Sequence, residues 1–194
     1  MKRIKAYSVV LIMLMLITGC SLKSFDADTN TVYVKKDGTV MQALIEDFGE
    51  SYYDSKELEE LINENVSAYN GDTDKVKVEK YNVNDNVAKL ITSFSSASDY
   101  AKFNNVEFFA GTISDAKSEE YDFNQEFTAI EDKNTVGAET IKSLTQYKVV
   151  IFEENVQIKT DSKILYLSDN ATLVGEKTAK LTDDAEGLGY IVYE

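Results

Sequence analysis

Hydrophobic and polar positions follow three regimes along the chain. Residues 6–17 are apolar apart from Tyr7 and Ser8, residues 54–70 repeat apolar side chains at helical spacing, and most of the remainder gathers them into short runs bounded by Asp, Asn and Gly. The helical stretch is the most fully punctuated. Asp54 with Glu57 three residues later forms a capping-box pattern, and Tyr53 is placed to staple against Leu58. Leu58, Leu61, Ile62, Val66 and Tyr69 then recur on one face until Asn70-Gly71 ends the run. The spacing predicts a helix over residues 55–69 with Leu61 and Ile62 buried, and with Glu60 and Glu64 in water. Weaker cap signals predict shorter helices over residues 98–104 and 138–144.

The short runs predict strands. Residues 32–35 and 39–45 flank Asp37-Gly38, a dipeptide suited to the positive φ of a tight hairpin turn. Residues 75–81 and 87–94 read as two strands joined through 82–86, and 106–113 as another. The second half adds 147–152, 156–158, 164–167, 171–174, 178–181 and 189–193. Strands and helices do not alternate regularly, so antiparallel pairing is expected. The fold class is therefore α+β: antiparallel sheet or sheets carrying one main amphipathic helix (55–69) and one or two short helices. Residues 31–194 form a single domain, since no linker-like composition marks a division near 122–124.

The first apolar run carries a different message. Lys2, Arg3 and Lys5 precede it, it is too short to span a bilayer, for which about 20 apolar residues are needed, and it ends at Ile17-Thr18-Gly19-Cys20. That ending resembles the lipobox of bacterial lipoproteins: an aliphatic residue, a small residue, Gly or Ala, then Cys. The resemblance covers the first 20 residues. It implies a signal peptide over residues 1–19, a diacylglyceryl lipid on Cys20, and a mature chain held at the extracytoplasmic face of the cell membrane by that anchor. Residues 20–30, small and polar with Phe25 among them, are then expected to be a lipidated tether. In lipobox, length and acidity the chain resembles small lipoproteins of clostridia-like Gram-positive bacteria.

Charge narrows the partners. The chain holds 34 acidic against 20 basic residues, a formal net charge of −14, and losing the three leader cations makes the mature chain more acidic still. Such a balance argues against nucleic acid and against lying flat on an anionic membrane. There is no His, and the single cysteine is Cys20, so His-based zinc sites, Ser-His-Asp and Cys-His catalysis and disulfides are all excluded. No cofactor is expected beyond the covalent lipid, and no metal.

Three patterns imitate chemistry. Ser114-x-x-Lys117, Ser168-Asp169-Asn170 and Lys177-Thr178-Ala179 follow the motif order of serine β-lactamases, but only nine positions separate Ser168 from Lys177, and Ala179 replaces the expected Gly. Asp26-Ala27-Asp28-Thr29-Asn30 opens like a calcium loop, yet Thr31 stands where the sharp turn needs Gly. The third is a cluster of acids and aromatics, Glu119-Glu120-Tyr121-Asp122-Phe123, which could present carboxylates beside rings able to stack on a sugar.

From this the leading expectation is a noncatalytic adaptor or binding module of the cell envelope, with a protein or envelope glycan as partner. Tyr52, Glu119, Glu120, Tyr121 and Phe123 are its candidate binding residues. A carboxylate-dependent hydrolase of envelope glycans is the first alternative. A ligand or calcium carrier serving a transporter is the second, although two-lobed carriers are normally longer, with about 100 residues or more per lobe.

Overall fold

In a computed structural model that describes residues 25–194, the short apolar runs become two stacked sheets. Sheet A contains β1 (Thr31–Val34), β2 (Val40–Asp47), β3 (Val76–Asn84), β4 (Val87–Phe94), β9 (Gln157–Thr160), β11 (Ala171–Gly175) and β12 (Thr178–Leu181), in the order β11-β12-β9-β1-β2-β4-β3. Sheet B contains β5 (Phe108–Thr112), β6 (Phe127–Ala129), β7 (Thr135–Val136), β8 (Lys148–Phe152), β10 (Ile164–Ser168) and β13 (Gly189–Tyr193), in the order β5-β8-β13-β10-β6-β7. The helices are α1 (Ser55–Asn70), α2 (Ala97–Asn104), α3 (Ile113–Ser118) and α4 (Ala138–Ser143). The mixed α and β content and mostly antiparallel sheets agree with the expected class, with strand dominating.

Alternation along the strands sets the layers. Val32, Val34, Val40 and Phe94 of sheet A meet Val150, Phe152, Ile191 and Tyr193 of sheet B in the main core. The opposite side chains of β8 and β13, which are Val149, Ile151, Tyr190 and Val192, pack under α3 and α4 against Ile113, Ala116, Ile141, Phe123 and Phe127. Burial on both faces is why β8 and β13 read as nearly unbroken apolar runs. Gly189 keeps the sheets close, since a Cβ there would lie 2.5 Å from Leu181 Cδ2 and 3.0 Å from Phe152 Cε1.

Local chemistry accounts for the connections. Gly38 takes φ 86° in the β1–β2 hairpin, while Asp85 and Asn86 take φ 49° and 61° between β3 and β4, the pair of positive values of a type I′ turn. That two-residue turn lets β3 run on to Asn84, beyond the expected end at Tyr81. Ser96 caps α2, and Thr112 with Asp115 forms a capping box on α3, a helix the hydrophobic spacing did not announce.

Several expectations are corrected. β1 pairs with β9 in parallel, so pairing is not antiparallel throughout. α1 is present but buries no residue fully, and Leu61 is 54% exposed. Only the narrower stripe of Leu58, Ile62, Val66 and Tyr69 is partly covered, because α1 meets sheet A through its edge strand β3. One main amphipathic helix therefore does not organise the packing. The last part of the expected tether is seated on the domain: Phe25 is buried against Met41, Ala43 and Ile91 on the outer face of sheet A, and Asn30 Oδ1 accepts the Ile45 N–H at 2.7 Å. Residues 1–24, with the signal peptide and Cys20, lie outside the described residues.

Candidate functional site

β5 is one of the two edge strands of sheet B, paired on one side to β8. The Ile113 N–H bonds Tyr147 O and the Thr112 N–H bonds Asp115 Oδ2 at 3.1 Å. With the alternation of an antiparallel ladder, these two bonds fix the phase of the strand: Phe109 and Gly111 direct their backbone groups at β8, and Phe108 and Ala110 direct theirs away. No hydrogen-bond partner for the backbone groups of Phe108 or Ala110 is found among the described residues.

Those outward groups face a groove. A cavity of about 550 Å³ is bounded by β5 and by the Ala97, Ala101 and Lys102 side of α2, with Tyr121 and Glu119 completing the wall. It meets a second cavity of about 260 Å³, which continues past Gly111 and Thr112 to Lys148 and Tyr193. Asp37, Gly38 and Ala110 line both, so the β1–β2 hairpin turn lies where the two adjoin.

The side chains around the groove are held in place. The Tyr121 hydroxyl donates to Glu107 Oε1, and its ring lies 5.1 Å from that of Phe109. Burial first, and the Glu107 carboxylate second, push the Tyr121 phenol well above its usual range, so it remains a donor at all ordinary pH. The Glu107 N–H bonds Glu153 Oε1 at 2.7 Å. Asp37 accepts from the Thr39 hydroxyl and N–H, which hold its carboxyl below the usual value. Gly111 makes room for this wall, because a Cβ there would come within 2.7 Å of Phe109 Cζ. The arrangement offers backbone donors and acceptors along one side, carboxylates and lysines of both signs around the rim, and aromatic surface at one end.

The structure divides the expected binding residues. Glu119 and Tyr121 line the groove. Glu120 sits beside it at a left-handed turn with φ 63°. Phe123 is corrected to a core residue: it is fully buried with its ring 5.3 Å from Tyr190, and no surface ligand reaches it. Tyr52 does not line the groove. It is 75% exposed in the β2–α1 connection, edge-on to Tyr53, which stacks on Phe48. Cys20 lies outside the described residues.

The motif imitations dissolve into local structure. Ser168 Oγ is buried, accepting the Tyr190 N–H, while Lys177 Nζ donates to Asp161 O and Ser114 sits in the first turn of α3. Among the described residues no group of three or more His, Cys, Asp or Glu is placed to hold a metal, and no helix is long and apolar enough to cross a membrane.

Sequence reasoning missed Glu107, Lys102 and Ala110. The one local signal was Gly111 inside an otherwise apolar strand, which marks a close approach. No protein-family model, curated protein or solved structure matches the chain.

Proposed function

We propose that this chain is a lipid-anchored binding module of the cell envelope, working on the extracytoplasmic side, and that it holds a partner protein by taking an extended segment into the groove along β5. The observation that carries the reading is the edge of β5 at Phe108 and Ala110, without a backbone partner among the described residues and bordering both cavities. An extended segment laid there gains main-chain hydrogen bonds from the edge, while alternate side chains fall towards α2 and towards the Tyr121 wall. The hairpin turn borders both cavities beside the edge, which limits indiscriminate edge pairing.

Ala110→Pro tests this directly. The substitution removes an N–H that points into the groove and leaves every β5–β8 ladder bond in place, a change tolerated on edge strands. A photo-crosslinking residue at Lys102 should capture a discrete envelope protein in living cells, and the same residue at Glu64 on α1 should not. Ala110→Pro should reduce the Lys102 capture about tenfold at an unchanged melting temperature. Capture that survives Ala110→Pro intact would exclude strand addition as the binding mode.

A further inference from the structure

The outer face of sheet A gathers lysines to near charge balance in a chain that is otherwise strongly acidic. Register places Lys77 and Lys80 of β3, Lys89 of β4, Lys159 of β9 and Lys180 of β12 on the same side as Met41, Ala43 and Ile91. Opposed to these five cations, the strands contribute Glu79 and Asp47 to that side, and Asp161, just past β9, accepts from the Tyr33 hydroxyl there. Three of the lysines pair with acids around the rim: Lys77 with Asp74 at 2.7 Å, Lys180 with Asp183 at 3.5 Å, and Lys89 with Asp26. No ion pair engages Lys80 or Lys159 among the described residues, and Lys159 Nζ lies 5.3 Å from the centre of the Tyr33 ring. With the rim acids included the face is close to neutral, a local exception in a chain of net charge −14.

The amino-terminal end of the domain lies on the same face. Phe25 is docked there, and the Lys89 ammonium donates to Ala27 O at 2.6 Å, fixing the path of the chain as it enters the domain. Residues 21–24 alone separate Phe25 from Cys20. Five residue steps reach at most about 18 Å, while a domain of this length measures roughly 40 Å across. A lipid on Cys20 would therefore hold this face nearest the bilayer, with the α3 and α4 side turned away.

We infer that the outer face of sheet A rests on the membrane that carries the anchor, with Lys80 and Lys159 set against anionic phospholipid headgroups. The inference depends on the reading of Cys20 as lipidated. Two lysines near such a surface attract it enough to orient a domain already held by its lipid and too weakly to bind it without one. The overall acidity then acts in concert, since the remaining surface is repelled by the same headgroups.

The test uses the full mature chain in vesicles. With the Cys20 sulfur occupied by lipid, a cysteine introduced by Thr172→Cys on the outer face, or by Ser114→Cys on α3, is the single free thiol and takes one fluorophore. In vesicles containing phosphatidylglycerol, quenching by headgroup-labelled lipid should be at least threefold stronger at position 172 than at 114. Adding Lys80→Glu and Lys159→Glu should remove most of that difference. Equal quenching at both positions, or a difference indifferent to the two charge reversals, overturns the inference while leaving the anchor intact. Intact mass and flotation report the anchor separately, and a chain that carries no lipid and does not float overturns both readings.

Discussion

The Tyr69 hydroxyl donates to Asp99 Oδ1 across 3.1 Å, and through this bond the end of α1 is fastened to the first turn of α2. Asp99 also accepts from Ser96 Oγ at 2.7 Å and lies 3.6 Å from Lys75 Nζ. Burial alone would raise the carboxyl, but the bonds from Ser96 and Tyr69 and the Lys75 charge outweigh it and hold Asp99 below its ordinary 3.8. A carboxylate depressed in the folded state contributes stability that is complete above its unfolded value and lost as pH falls through the folded one. Urea denaturation should therefore show stability declining below about pH 3.8, and Asp99→Asn should flatten that decline. At pH 7 the same substitution should cost about 1–3 kcal/mol, because three donors lose a charged acceptor.

Glu154 has the opposite sign. Burial raises its carboxyl above the ordinary 4.5, only partly offset by the Tyr100 hydroxyl, which donates to Oε2 at 2.6 Å, and the neighbouring Glu153 adds to the rise. A carboxyl raised in the folded state withdraws stability as pH climbs through its folded value. Glu154→Gln keeps an acceptor for Tyr100 and removes the charge. Its melting temperature should match the wild type near pH 4 and exceed it increasingly towards pH 7. An offset constant across that range would reject the assignment.

The exposed side of α1 predicts a contrast between two apolar residues. Leu61 is more than half exposed, so Leu61→Ala should stay within roughly 0.5 kcal/mol. Val66 packs against the main core, and Val66→Ala should cost about 1 kcal/mol or more. Chemical denaturation of the two variants under identical conditions distinguishes them.

Docking of the entering chain predicts that it belongs to the folded unit. Phe25→Ala should cost about 1.5–3 kcal/mol by exposing Met41, Ala43 and Ile91. A chain beginning at Asn30 should melt well below one beginning at Ser24, and equal melting temperatures would show that the contact contributes nothing.

Legibility in the sequence followed the range over which each feature is determined. Turn chemistry is local, so Asp37-Gly38 placed its hairpin, and all six strands expected after residue 147 are found. Partnership is not local. Nothing in the pattern of β9 says that it meets β1, and the apolar stripe of α1 is the same whether it lies over a sheet or beside an edge. The groove was half legible for the same reason. Glu119 and Tyr121 stood out as acid beside aromatic, whereas the edge at Phe108 and Ala110, unpaired among the described residues, consists of backbone groups that every residue possesses. Phe123 misled because an aromatic next to acids looks the same in sequence whether its ring turns outward or into the core.

The parallel pairing of β1 with β9 sets the order of assembly. Thr31–Val34 must wait for Gln157–Thr160, which emerge more than a hundred residues later, so sheet A cannot close until nearly the whole chain has been delivered. Such distant pairing places the domain among slow, topology-limited folders. The chain contains no proline, so nothing in it isomerises on the scale of tens of seconds. Refolding should thus proceed without a trailing proline phase, its pace set by one long search, and a prolyl isomerase added to the refolding mixture should leave the rate unchanged.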